Sequence, residues 1–376
     1  MVRGWILLAA LAACRLEADG ADGKAVFPGT AWESVPPESQ GVDGEKLAAA
    51  IRFLEAHVPR DGVQPLAVVR HRRLIYAGPK VDEFHGIWSC TKSFTSTVLG
   101  LLIDDGRCSL DTPAKDHVPE MARLYPAVTL RHFTTMTSGY RAAGDEPQGS
   151  YTHGPSRTPF VPGPPLFSPP GSKFAYWDSA MNQFAHVLTR IAGEPIEELF
   201  RRRIAEPIGM RPDKWNWGEF ETGGIPVNGG SGNGNRHIFI SAREMARFGL
   251  LFLNRGNWNG RRLISAGWVD QATRPQAPKD LPLGHEGSPF RGSGLCGFNW
   301  WTNGVKADRS RKWPGVPVET FSASGHNNND MFVIPPWDVV VARLGLDQGG
   351  PGGFEVSDET YAAFLRQLGA ALLPGR

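Results

Sequence analysis

The chain has 376 residues, 41% of them hydrophobic and 21% charged, with 45 glycines and 31 prolines. That length supports a full core in one large domain or two ordinary ones; the apolar content excludes a disordered chain and the lack of a Gly-X-Y period excludes a collagen-like rod. Forty basic residues against thirty-eight acidic leave a formal charge of +2 with no long block of either sign, so neither a nucleic-acid footprint nor a polybasic membrane patch is supported.

Residues Met1 to Ala13 read as a short export signal, with Arg3 ahead of the apolar run Trp5 to Leu11. The run is too short to span a bilayer, and polar sequence follows at once. Leu11-Ala12-Ala13-Cys14 resembles a lipobox, which makes Cys14 a candidate for lipidation; ordinary cleavage nearby, for example after Ala18, is the rival reading. The expected organisation is a signal at 1–14, a tether at 15–28 and a catalytic domain at 29–372. The expected location is outside the cytoplasm, periplasmic or extracellular, with any membrane attachment made through Cys14. No later segment approaches 18 uninterrupted apolar residues.

Asp43 can cap a helix from about Gly44 to His57, with Leu47, Ile51 and Leu54 on one face. Leu66 to Arg70 and Leu74 to Ala77 read as a hairpin, and Thr91 to Ile103 as a helix stopped by Asp104-Asp105-Gly106. Ser109 to Asn235 shows helices broken by Pro- and Gly-rich loops, chiefly Pro159 to Pro170 and Gly223 to Gly234. Strand patterns return at Met331 to Ile334 and Val339 to Ala342, and an amphipathic helix closes the chain at about Glu359 to Leu373. Strands at both ends imply one sheet completed by the C-terminus. The expected class is α/β (α+β): an antiparallel sheet flanked by helices, with an all-helical lobe at about 101–239 inserted between sheet-lobe segments at about 29–100 and 240–372.

The four cysteines, Cys14, Cys90, Cys108 and Cys296, form no C-x-x-C pair, so no metal site is expected, and nothing requires a bridge between Cys108 and Cys296. G-x-S-x-G, H-E-x-x-H and the P-loop pattern are absent, and no cofactor is expected. What remains is Ser89-Cys90-Thr91-Lys92, an S-x-x-K at the first turn of a predicted helix. Three residues make nearly one turn, which puts the amine and the hydroxyl on one side within hydrogen-bond reach. A neighbouring amine held neutral by desolvation can take the serine proton, and a helix N-terminus supplies free N–H groups for an oxyanion. On its own the motif equally fits a helix cap beside a surface lysine.

Around it stand longer phrases. They run Trp88 to Ser96; Ile103-Asp104-Asp105-Gly106-Arg107 with Leu110-Asp111-Thr112-Pro113; Thr129 to Gly139; Phe174-Ala175-Tyr176 through Gly193; Ile204 to Met210; and Ser241 to Gly249. In this order, over roughly residues 30 to 372, the chain resembles the serine beta-lactamase and penicillin-binding-protein superfamily in its class C-like esterase branch. The resemblance implies an acylated nucleophile at Ser89, a base at Lys92, and a proton-moving phenol at Tyr176, the tyrosine of the family's Y-x-N. It implies that Ser324-Gly325-His326-Asn327-Asn328-Asn329 falls where the family has K-[ST]-G or H-x-G. His326 would then orient substrate or support the Tyr176 and Lys92 hydrogen bonds, and the backbone N–H groups of Ser89 and Asn329 would form the oxyanion hole.

Two residues depart from the pattern. Asp178 stands where the family usually has an amide; beside Lys92 it favours the ammonium and opposes its use as a base. Asn327 and Asn328 replace small residues, so their bulk is expected to narrow the acyl site and to disfavour ordinary beta-lactams. Trp177, with Asp178, Asn327 and Asn328, is a candidate substrate contact, and Trp88, Trp300 and Trp301 are candidate aromatic lining. The expected activity is hydrolysis of a small ester or amide. A D,D-peptidase or beta-lactamase acting on peptidoglycan-like substrates and a non-catalytic envelope binding protein are the alternatives.

Overall fold

The computed structural model describes residues 27–58, 60–145, 156–286, 288–346 and 355–374. The export signal, the lipidation candidate Cys14 and most of the tether lie outside them.

A six-stranded antiparallel sheet forms the frame. Its strands are β1 (Leu66–Arg70), β2 (Arg73–Ala77), β3 (Trp301–Thr302), β4 (Phe321–Gly325), β5 (Asn329–Ile334) and β6 (Val339–Arg343), in the order β3-β4-β5-β6-β1-β2. The C-terminal strands thus pair directly with the N-terminal hairpin, Val68 opposite Val341 and Phe332 opposite the same Val341. Side chains alternate across the sheet. Val68, Phe332 and Val341 pack into one layer with the helices α1 (Gly44–Glu55) and α5 (Asp358–Ala370). Ala67, Val69, Met331, Val333 and Val340 pack into the layer on the other side, with α2 (Thr91–Asp104) and α4 (Ala242–Leu253). Both faces being covered explains why the strands read as nearly continuous apolar runs.

Three of the four covering helices, α1, α4 and α5, have a side-chain cap: Asp43 accepts from the Lys46 N–H at 3.1 Å, Ser241 from that of Glu244 at 3.3 Å and Ser357 from that of Thr360 at 3.1 Å. Helix α2 is buried along almost its whole length, between the sheet and α3 (Asp178–Ala192). Its hydroxyls are satisfied by carbonyls, Ser93 donating to Asn299 at 2.8 Å and Ser96 to Phe298 at 2.6 Å, which allows a polar helix to run through a core.

The middle of the chain differs from the expected run of helices and loops. Trp215–Trp217 pairs with Ile238–Ile240, which also pairs with His85–Gly86, and Glu219–Thr222 pairs with Ile225–Asn228. Segments of two to four residues are too short to display a strand period against surrounding turns. Cys108 and Cys296 are free thiols in separate clusters. The spacing G-x-G-x-x-G does occur at Gly292, Gly294 and Gly297, but in turns between α4 and β3 with no strand leading in and no helix leading out, which is not a dinucleotide site.

One buried ion pair locks the N-terminal segment onto this frame. Glu244 and Arg247, both fully buried, meet at 3.0 Å on α4, and the guanidinium also donates to the carbonyls of Thr30 at 2.9 Å and Ile208 at 3.2 Å. Removing one member leaves a buried charge without its partner. Glu244→Ala is therefore expected to lower unfolding free energy by about 3–5 kcal/mol in chemical denaturation.

Candidate active site

Ser89 lies in a single 3-10 turn, Trp88–Cys90, that runs straight into α2. One residue earlier the backbone of Trp88 takes a left-handed conformation, φ 49°, sparsely populated for a bulky residue and held here by surrounding contacts. The Trp88 ring stacks on His237 at 4.7 Å and meets His326 edge-on at 5.0 Å.

Lys92, three residues into the motif and 2% exposed, donates to three oxygens: Ser89 Oγ at 2.8 Å, the Tyr176 hydroxyl at 2.9 Å and Asp178 Oδ1 at 2.7 Å. An ammonium has three N–H donors, so this arrangement satisfies all of them. Tyr176 is brought there by the extended segment leading into α3, and its ring stacks on Phe290 at 4.5 Å. Asp178 begins α3, where the helix N-terminus favours a carboxylate, and it also accepts from the Ser231 hydroxyl. Burial pulls the Lys92 amine down, but the Asp178 carboxylate and Tyr176 outweigh it and hold the amine above its ordinary range. Burial pushes the Tyr176 phenol up, partly offset by Lys92, so the phenol is neutral near pH 7. Cys90, inside the same motif, is fully buried and its thiol is pushed well up by burial, so it remains a neutral thiol.

The end of β4 stands over Ser89. A Cβ on Gly325 would lie 2.2 Å from the Ile87 carbonyl and about 3 Å from the Ser89 and Cys90 nitrogens, so the strand approaches the nucleophile turn closer than any side chain permits. His326 follows at the mouth of the cleft. Lys92's own three hydrogen bonds do not include it; the place of His326 on the cleft wall is compatible with the other expected role, orienting substrate. Asn329 is fully buried behind the strand: its carbonyl accepts from Cys90 Sγ at 3.2 Å and its amide side chain holds Gly86 and Gly345. Asn329 is off the cleft wall, so the strand end opposite the Ser89 N–H is Gly325–His326 rather than Asn329.

The cleft encloses about 970 Å³ and opens onto Ser89 and Tyr176. Phe290, Leu281, Leu283 and Trp301 line it near the nucleophile; Ser324, Asp330, Lys312 and Tyr361 line it further along β4. Trp177 is not on its wall: the indole is buried and donates to Asp145 at 2.7 Å. Trp300 is buried against Phe252 and Phe321 in the core, whereas Trp301 does line the cleft. Asn327 and Asn328 adopt left-handed conformations in the turn between β4 and β5, their carbonyls held by Arg343 at 3.2 and 3.0 Å. Asn328 reaches the cleft wall and Asn327 does not, so the pair does not act as a plug of bulk across the site.

Ser231, Phe290, Gly325 and Asp330 are further site residues beyond those expected from the motifs. Ser231 lies in a Gly- and Asn-rich loop and Phe290 in a Pro- and Gly-rich one, where no period marks a facing direction; Gly325 sits inside the strand phrase and Asp330 directly follows it.

A nucleophile turn at a helix start, a lysine behind it, a tyrosine from the segment entering α3 and a close-approaching strand are arranged as in the beta-lactamase/transpeptidase-like fold. The sequence profile of the Beta-lactamase family matches residues 50–364, and the chain belongs to that family of serine hydrolases. Its relatives include a 6-aminohexanoate-dimer hydrolase of Paenarthrobacter ureafaciens, 27% identical over 333 residues covering 80% of this chain and 76% of the relative. Esterase EstB of Burkholderia gladioli is 27% identical over 231 residues, 52% of this chain and 59% of that enzyme. Among solved structures, a penicillin-binding-protein homologue from Caulobacter crescentus superposes with a TM-score of 0.62 at 19% identity, over 89% of this chain and 99% of the other.

The close approach of Gly325 is directly testable. Gly325→Ala forces β4 away from the Ser89 turn against backbone atoms that cannot yield. Labelling of the protein by a serine-reactive fluorophosphonate is expected to fall by about 10²-fold or more, as when an oxyanion donor is lost, while far-UV circular dichroism stays native.

Proposed function

We propose that this protein hydrolyses a small ester or amide through an acyl-enzyme on Ser89. The observation that carries the reading is the convergence of Ser89, Tyr176 and Asp178 on Lys92 Nζ at the floor of an open cleft. The relatives named for esterase activity and for hydrolysis of an amino-acid dimer support the same reaction type.

At rest Lys92 is an ammonium and must give up a proton before it can take one. Asp178, 2.7 Å away, receives that proton inside a pair whose net charge does not change. The neutral amine then takes the Ser89 proton as Oγ bonds to the substrate carbonyl carbon, and the carbonyl π electrons move to oxygen. The oxyanion is received by the backbone N–H groups of Ser89 and His326, with the start of α2 adding a favourable field. Collapse breaks the bond to the leaving group, which takes its proton from the Tyr176 hydroxyl. Lys92 restores the phenol and Asp178 returns the borrowed proton to Lys92, so the serine proton leaves with the product. Water repeats the sequence on the acyl-enzyme. The working location in this reading is outside the cytoplasm, reached through the signal at 1–14, with Cys14 as the lipid attachment.

A fluorophosphonate is expected to label wild type and not Ser89→Ala; an unlabelled, folded wild type overturns the proposal and favours a binding protein. Lys92→Ala is expected to lower kcat/KM on p-nitrophenyl esters by about 10²–10⁴-fold. Asp178→Asn removes the group that holds the Lys92 amine up, leaving burial to pull it down. Its kcat/KM profile is expected to rise with pH through a depressed lysine pKa, whereas in wild type the amine is freed by transfer to Asp178; superimposable profiles would exclude the carboxylate from the proton path.

A further inference from the structure

Of the five acidic residues on the cleft wall, none used by the reaction above, Asp330 is the buried one; Asp280, Asp308 and Glu355 are exposed and Asp358 is half-buried. It lies on β5 directly opposite Ser324, one residue along β4 from the Gly325 that touches the nucleophile turn. Residues paired across an antiparallel sheet point to the same face, so Ser324 and Asp330 present their polar atoms together. The carboxyl is 6% exposed, lines the cleft, accepts from the Tyr361 hydroxyl at 2.6 Å and is hydrogen-bonded to Ser324. Among the described residues no lysine or arginine forms an ion pair with it. The two cations nearest in effect are otherwise engaged. Arg343 donates to the carbonyls of Gly62, Asn327 and Asn328, and Lys312 is paired with Asp358 at 2.6 Å while lying over the Trp301 ring at 4.7 Å. Arg343 is also the residue paired with Asp330 on β6, and with Lys312 it eases ionisation from a distance. The carboxyl's direct hydrogen bonds are nevertheless to hydroxyls, and burial still makes it costly to ionise, raising it to about 6. A cationic ligand at this place would recover that cost.

We infer that Asp330, with Ser324 and Tyr361 around it, is a subsite for a positively charged group of the substrate, an ammonium or guanidinium carried a few bonds from the scissile carbonyl. The inference rests on Ser89 being the acylated residue, because position along β4 is measured from it. Phe290 and Trp301 supply apolar contact between the two points. A substrate carboxylate placed on this stretch of β4 would meet the Asp330 charge, so the subsite discriminates against carboxylate-bearing substrates as well as for cations.

The test uses three probes of one shape and different charge: 3-phenylpropylammonium, 3-phenylpropanol and 3-phenylpropanoate. Their binding to Ser89→Ala is measured by calorimetry at pH 7.5, and their protection of wild type from fluorophosphonate labelling is measured in parallel. The ammonium is expected to bind about tenfold or more tighter than the alcohol, and the carboxylate weakest of the three. In Asp330→Asn the ammonium-to-alcohol ratio is expected to fall to within about threefold of one. A ratio near one in the unaltered site, tightest binding of the carboxylate, or a tenfold preference that survives Asp330→Asn overturns the subsite. The calorimetric arm needs no turnover, so failure of Ser89 as nucleophile shows as absent labelling while the charge preference is still read. Because the first comparison leaves Asp330 intact, the result does not depend on the folding of the variant.

Discussion

The site is organised around one buried cation. Lys92 Nζ has three N–H donors and three acceptors, and each acceptor arrives from a different part of the chain: Ser89 from the turn before α2, Tyr176 from the segment entering α3, Asp178 from the first turn of α3 itself. An ammonium that is 2% exposed is tolerable only when fully partnered. The registration of α3 against α2 is therefore tied to the hydrogen bonding of a single nitrogen. This coupling also sets the chemistry. A bare buried lysine would be neutral and a ready base; Asp178 converts it into half of an ion pair and moves the proton inventory of the site from one residue to two.

The second constraint is steric. The Ser89 turn and the end of β4 approach until only a hydrogen fits at Gly325, and the strand must stop immediately afterwards. It stops in two consecutive left-handed residues, Asn327 and Asn328, a residue type that tolerates this region. Arg343 on β6 holds both of their carbonyls, so the sheet's own strand clamps the turn that follows the active-site edge. The bulk of the asparagines is spent on making a turn.

This explains what the sequence disclosed and what it concealed. The hairpin, the capped α1, the buried α2 and the S-x-x-K at its start were legible because each has a local signature: period, cap or spacing. The sheet topology was legible only as an inference from strands at both ends. The strand phrase was located, but which of its backbone N–H groups faces Ser89 was not, because the position of a strand end depends on φ values that residue type only suggests: Gly325 is at the nucleophile turn and Asn329 is buried behind it. Trp177 read as a substrate contact because it adjoins Tyr176 and Asp178, yet successive residues at an extended helix entry point in opposite directions, and its indole turns to Asp145. Ser231 and Phe290 were invisible in loops whose composition carries no direction.

The two acids of the site illustrate how environment divides labour among identical groups. Asp178 is fully buried yet neutralised, by an ammonium at 2.7 Å and by its place at a helix N-terminus, and its charge is consumed within the protein. Asp330, equally withdrawn from solvent, is hydrogen-bonded to hydroxyls, with Arg343 and Lys312 acting on it only through space while each is paired elsewhere, and it lines the cleft. A cation in direct contact makes an acid part of the machinery, whereas cations held at a distance leave an acid able to respond to what enters. The near-balance of charge over the whole chain says nothing of this, because the inferred selection between substrates rests on one buried carboxyl on β5, the strand paired with the one that touches the nucleophile turn.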